Sequence, residues 1–173
     1  NNIYNKILIK NIRNSDGYIC LSESLNNLIN INGKPFVIFD GITEEIQFSI
    51  KSIQDDYIYF GGSLMKEYGI FELIEAFNLL KLNNIKLVIT GHHEPDNFKD
   101  IIKNNSNIIY LGAVSYKENA NLAHYSLCSI NPRPINQLID DYSFPSKVLE
   151  YISNGAITIS TPSPYIYKSY SDS

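Results

Sequence analysis

From Tyr57 to Ser160 the chain alternates short apolar runs with amphipathic stretches, and polar or glycine-rich turns mark the switches. Tyr57–Phe60, Lys86–Thr90, Asn107–Leu111, Leu127–Ile130 and Ala156–Ser160 read as strands. Between them, residues 69–82, 96–104, 116–125 and about 144–154 read as helices. Ile70, Leu73, Ile74, Phe77 and Leu80 recur at helical spacing in the first of these. Short apolar strands that alternate with helices predict an α/β fold, a parallel sheet covered by helices on both faces. Ligands of such sheets sit at the carboxyl ends of the strands. The turns 61–63, 91–93 and 112–115 and the long loop 131–143 therefore belong to one rim.

The first third of the chain is less regular. Residues 1–13 are compatible with a helix. Tyr18–Leu21 reads as a short strand, and Ser22 as the cap of a helix with Leu25, Leu28 and Ile29 on one face. Pro35–Phe39 is a further strand ending at the Asp40-Gly41 turn. Residues 42–55 are polar and aperiodic, as in a linker. This divides the chain at about residue 45, into the end of one domain (1–45) and a second domain (46–173). The opening residue is Asn1, and Pro164–Ser173 starts like a helix and stops after one or two turns, so a fragment is expected.

Composition removes several classes of function. Fourteen Lys and Arg face eighteen Asp and Glu, for a net charge of -4, and no long basic run favours nucleic acid. Cys20 and Cys128 lie far apart in apolar stretches and read as reduced, buried thiols. No cysteine–histidine spacing suggests zinc. No apolar run of about 18 residues is present to span a bilayer.

The densest chemistry lies in Asn131-Pro132-Arg133-Pro134 and in Ser143-Phe144-Pro145-Ser146-Lys147-Val148-Leu149-Glu150. Pro145 suits a first helical position and Ser143 a cap. The free N–H groups and dipole of that turn form an anion site. Ser146 adds a hydroxyl and Lys147 a point charge for phosphate. Glu150, three residues on, shares their face. A carboxylate there repels phosphate, but it can accept hydrogen bonds from the vicinal hydroxyls of ribose. By residue type alone, a surface ion pair worth a few tenths of a kcal/mol is the stronger reading of Lys147 and Glu150, and their place on the strand-end rim reverses that balance. Arg133, between two prolines, offers a stiffly held fork for phosphate or carboxylate. Gly61-Gly62-Ser63 permits close approach of a ligand to the backbone. His92 and His93 sit on the rim, and His124 reads as structural.

In order along the chain, these landmarks resemble glycosyltransferase family 4, retaining enzymes of the GT-B fold. The match is carried by Tyr59-Phe60-Gly61-Gly62-Ser63-Leu64, Tyr68-Gly69-Ile70, Leu87–Gly91, Asn107–Gly112, Asn131–Pro134 and Ser143–Gly155. It implies a Rossmann-like donor-binding domain, one half of a GT-B fold, preceded by the tail of an acceptor-binding domain. The implied partners are a nucleotide-sugar donor and a glycan or lipid-linked acceptor, as in bacterial surface-polysaccharide assembly. No cofactor and no dedicated metal are implied. Glu150 matches the second glutamate of the family's glutamate–seven residues–glutamate motif, which contacts ribose. Ser146 and Lys147 would lie by the diphosphate, and Gly62 and Ser63 would face it. The loops carrying Gly91, His92 and Val114 would approach the base. Catalytic residues are not assigned.

Three positions depart from the family pattern. The first motif glutamate falls at Tyr142, and the usual arginine and lysine fall at Ser63 and Tyr68. Arg133 and Lys147 are expected to replace the two missing cations. A cytoplasmic setting follows from the resemblance, with peripheral contact at the inner membrane face through the rest of the acceptor domain. Residues 1–40, lacking their original sheet, would favour a homodimer or domain swapping. The competing reading is a non-catalytic nucleotide-sugar- or partner-binding domain. An epimerase of the same fold ranks lower, because only His92 and His93 are available for proton chemistry.

Overall fold

The computed structural model describes residues 9–39, 41, 45–135 and 146–162. These fall into two compact units. The smaller comprises residues 9–39 and 41, with Ile135, Ser146 and Pro162 grouped with it. The larger comprises residues 45–134 and 147–161.

The smaller unit carries helical residues 9–13 (α1), strand β1 (Tyr18–Cys20), helix α2 (Glu23–Ile29) and strand β2 (Phe36–Ile38). The two strands pair in parallel, Ile19 opposite Val37. Ser22 caps α2 as its position predicts, accepting from Leu25 N–H at 3.1 Å. The face of α2 differs from expectation: Asn26 is its buried residue, and Leu28 is exposed.

The larger unit is a five-stranded, all-parallel sheet in the order β5-β4-β3-β6-β7. Its strands are β3 (Asp56–Ser63), β4 (Ile85–His92), β5 (Ile108–Tyr110), β6 (Cys128–Asn131) and β7 (Thr158–Ser160). Helices α3 (Ile70–Leu80), α4 (Phe98–Ile102), α5 (Tyr116–His124) and α6 (Ser146–Ser153) connect them. Successive strand residues point to opposite faces, and the sequence fills both. Phe60, Leu87 and Ile89 pack with Ile70, Ile74 and Phe77 of α3 and Phe98 of α4. Tyr57, Tyr59 and Val88 pack on the other face with Leu122 and Ala123 of α5 and Tyr151 of α6. Two cores flank one sheet, the expected α/β architecture.

The second core is built on tyrosines, and each buried hydroxyl has a partner, as burial requires. Tyr57 donates to Leu122 O at 2.8 Å, and Tyr151 accepts from Gly61 N–H at 3.0 Å. Burial pushes the Tyr57 hydroxyl up to about 12 and that of Tyr151 upward as well, so both remain neutral phenols. Helix α6 ends in a Schellman motif on Gly155 (φ 73°). There Ala156 N–H bonds Tyr151 O at 3.0 Å and Gly155 N–H bonds Ile152 O at 2.9 Å.

Several boundaries differ from the sequence reading. Gly61-Gly62-Ser63 and Gly91-His92 are strand, not loop, because β3 and β4 stay paired through Gly62↔Gly91 and Ser63↔His92. Two glycines face each other there with no side chains to part the backbones. The helix expected over 96–104 shortens to Phe98–Ile102. Residues 45–55 form no helix or strand, yet they are docked, not loose. Phe48 stacks on His124 at 3.8 Å between ring centroids, and the Asn121 amide binds Ser49 N–H (2.9 Å) and Ile50 O (3.3 Å). Cys20 is buried, Cys128 is half-buried and both are free thiols; burial raises both. Residues 1–8, Asp140, Asp141, Tyr142, Ser143, Pro145 and the segment 164–173 lie outside the described residues.

Candidate functional site

At the carboxyl ends of β3, β4 and β5 lies a cleft of about 210 Å³. Its strand-end wall is Gly61, Gly62, Thr90, Gly91 and His92. Ala113, Val114 and Tyr116 come from the turn into α5, and Asn119 from α5 itself. Lys147 and Glu150 project from α6. Six of the predicted site residues are thus brought together: Gly62, Gly91, His92, Val114, Lys147 and Glu150.

The wall of glycines is a packing requirement. A Cβ on Gly62 (φ 148°) would collide with the Lys147 Nζ and Cε and stand 3.3 Å from its Cδ. A Cβ on Gly91 (φ 148°) would run into the Gly62 carbonyl, 2.8 Å from its carbon. A Cβ on Gly61 would stand 2.5 Å from the Tyr59 hydroxyl. The lysine therefore lies across bare backbone in the space a side chain at 62 would fill.

Lys147 and Glu150 are neighbours on one helix face, yet the predicted alternative of a simple ion pair is not what forms. Lys147 Nζ donates to Gly61 O at 2.5 Å, with the Phe60 ring centroid 5.8 Å away. Glu150 Oε1 accepts from Asn119 Nδ2 at 2.5 Å. Each charge is drawn to a different partner, and both line the cleft. Burial holds the Lys147 amine below the usual lysine range, and the Glu150 carboxylate only partly offsets this.

Beneath Glu150 runs a polar chain that the strand periodicity did not announce. The Tyr59 hydroxyl lies 2.6 Å from Asn119 Oδ1 and 2.6 Å from Thr90 Oγ1. Tyr59 is fully buried, and burial raises its hydroxyl far above the usual phenol value. The available signal was the tyrosine itself: a phenol inside an apolar strand must find a partner when the strand is buried.

The remaining predicted residues stand elsewhere. Ser63, at the end of β3, lies 3.5 Å from His93 Nδ1. Ser146 opens α6 and is exposed. Arg133 lies over the Tyr68 ring, its Cζ 5.7 Å from the centroid, while Thr161 Oγ1 donates to its carbonyl at 2.5 Å. Gly69 (φ 80°) makes room for this loop, since a Cβ there would meet the Pro132 carbonyl. His124 is structural as expected, its Nδ1 2.8 Å from Asn154 O. Next to His92, the loop after β4 is braced by Tyr110, whose hydroxyl donates to Glu94 and lies 3.2 Å from Gly91 O. Glu94 also pairs with Lys99 at 2.9 Å. Among the described residues, no cluster of three His, Cys, Asp or Glu side chains could hold a metal ion. No described helix is long and apolar enough to cross a membrane.

A doubly covered parallel sheet with its cleft at the strand ends defines a Rossmann-like class of domain. The chain belongs to the family described as glycosyl transferases group 1, whose model matches residues 42–171. Solved structures agree in fold. TarM superposes with a TM-score of 0.68 at 17% identity, over 96% of this chain and 33% of that one. Sucrose-phosphate synthase from Thermosynechococcus elongatus gives 0.66 at 11% identity, over 93% and 44%. AviGT4, a glycosyltransferase involved in avilamycin A biosynthesis, gives 0.62 at 15%, over 87% and 46%. The architecture is that of GT-B glycosyltransferases, and the chain spans a third to under half of the length of these proteins. No curated protein matches it in sequence.

Proposed function

We propose that this chain is the donor-binding half of a retaining glycosyltransferase of the family 4 type. The whole enzyme transfers a sugar from a nucleotide-sugar to a glycan or lipid-linked acceptor in bacterial surface-polysaccharide assembly. The observation that carries this reading is the unpaired juxtaposition of Lys147 and Glu150 on one cleft, against bare glycine backbone. A cation beside bare glycine backbone suits a diphosphate. A carboxylate one turn further along suits the ribose diol. Gly62 and Gly91 admit the phosphates, Ser63 and Ser146 flank them, and His92 and Val114 line the path to the base.

The cation positions support the same reading. The family's arginine position is Ser63, and the Lys147 amine occupies the Cβ space of the adjacent Gly62. The family's lysine position is Tyr68, and the Arg133 guanidinium covers its ring. In this reading Lys147, from within the cleft, and Arg133, from outside its described lining, take the place of the two cations missing from their usual positions. In the reaction the sugar–diphosphate bond breaks and the acceptor hydroxyl attacks the same face of the sugar, its proton passing to the departing diphosphate oxygen. Lys147, Arg133 and the start of α6 stabilise the charge that develops on the leaving oxygens. This requires no dedicated metal or cofactor. The enzyme works in the cytoplasm and contacts the inner membrane face through its acceptor domain.

The second reading, a non-catalytic nucleotide-sugar-binding module, draws on the uncharged Ser63 and Tyr68. Calorimetry with a panel of nucleoside diphosphates tests the proposal. Lys147→Ala should weaken binding about 10- to 150-fold, the value of a charge-assisted hydrogen bond. Arg133→Ala should weaken it less, because the guanidinium lies outside the described lining of the cleft. Unchanged affinity in both variants refutes the assignment of the cations.

A further inference from the structure

Opposite charges three residues apart on a helix ordinarily close into an ion pair. Here they do not, and the reason lies in α5. Asn119 Nδ2 binds Glu150 Oε1 at 2.5 Å, while its own Oδ1 is bound by the Tyr59 hydroxyl at 2.6 Å. The direction of every bond in this chain follows from the carboxylate. An ionised carboxylate only accepts, so the Asn119 NH₂ must face Glu150. Its carbonyl then faces Tyr59, which must donate. Tyr59 has a single proton, so Thr90, 2.6 Å away, must in turn donate to Tyr59. Burial keeps Tyr59 a phenol and therefore a donor. Gly61 completes the arrangement, because a Cβ there would press on the Tyr59 hydroxyl and the Asn119 Oδ1.

We propose that Asn119, fixed by Tyr59 and Thr90, is a positioning residue that holds Glu150 apart from Lys147, keeping the cation available to phosphate and the carboxylate available to ribose. The inference rests on the donor-site reading above and adds the device that keeps the two subsites distinct. Without Asn119 the carboxylate swings toward the lysine. The ion pair that results closes the cleft to phosphate and ribose alike.

The test is calorimetric binding of UDP, GDP and ADP, and of their 2′-deoxy counterparts, to the full chain and its variants. The unmodified chain should prefer the ribonucleotide about tenfold, the worth of one charge-assisted hydrogen bond. Asn119→Ala should weaken the 2′-deoxy nucleotide about tenfold and the ribonucleotide about fiftyfold, which brings the preference within about twofold. Tyr59→Phe, which removes one oxygen, should move both quantities in the same direction by a smaller factor. In a Glu150→Ala background, Asn119→Ala should have no further effect on the preference. A folded Asn119→Ala chain that keeps the full ribose preference overturns the proposal. If that variant does not fold, an unchanged preference in Tyr59→Phe overturns it. Diphosphate binding without ribose preference in the unmodified chain also overturns it, while leaving the diphosphate site standing. No binding of any nucleotide would overturn the donor-site reading itself.

Discussion

Gly62→Ala separates what the strand end needs from what the cleft needs. The added methyl would enter the space taken by the end of the Lys147 side chain, 3.3 Å from its Cδ and closer to its Cε and Nζ. A flexible side chain can move aside, so the lysine, not the strand, should yield. Two costs follow. Alanine at φ 148° is strained, which costs about 1–3 kcal/mol, or roughly 2–12 °C in Tm for a chain of this size. The displaced lysine loses its position, which costs nucleoside diphosphate binding about 1.5–3 kcal/mol, roughly 10- to 150-fold. Thermal melts read the first cost and calorimetry the second. A double-mutant cycle with Lys147→Ala then isolates the mechanism. If the methyl acts through the lysine, Gly62→Ala should change affinity by only about twofold once Lys147 is already alanine. A further tenfold loss in that background would refute the reasoning, because the methyl would then be meeting the ligand itself.

Gly91→Ala should behave differently, because its Cβ meets the backbone of Gly62, 2.8 Å from the carbonyl carbon, and no side chain can give way. Overpacking and strain together predict a loss of about 2–6 kcal/mol, read by urea denaturation; a loss no larger than that of Gly62→Ala would contradict the model of the strand pair. Lys147 should also take up a proton on binding a diphosphate at alkaline pH. Its pKa in the free chain lies below 10.5, and a bound anion raises it again. Affinity should therefore fall as pH rises through the lowered value, and calorimetry in two buffers of different ionisation enthalpy should register uptake; none at any pH would refute it. The stability of the unliganded chain has the opposite sign. Between the lowered value and 10.5 the unfolded chain binds more protons, so stability rises with pH there.

The periodic part of the fold was legible because burial on two faces leaves short apolar strands and i, i+3, i+4 helices. Ile70, Leu73, Ile74 and Phe77 are buried as their spacing predicts. The strand ends were misread for a physical reason. Glycine is depleted in strands, so Gly61-Gly62 and Gly91 look like loop, and only cross-strand pairing reveals them as a close contact of two backbones. Lys147 and Glu150 stood out by type and spacing, but their separate partners depend on Gly61 and Asn119, which are distant in the chain. Tyr59 and Asn119 carried no periodic signal. A buried phenol and a helix asparagine become informative only when folding brings them within 2.6 Å.

Both charges of the cleft ride on a single stretch of α6, capped at its far end by Gly155. Three residues of helix advance about 4.5 Å, and a helix does not stretch. The separation of cation from carboxylate therefore acts as a fixed gauge. A ligand whose charged and hydroxyl groups are spaced differently cannot be accommodated by flexing this element. Any change in the rest of the ligand has to be accommodated in the loops around the gauge, where sequence can change without resetting it.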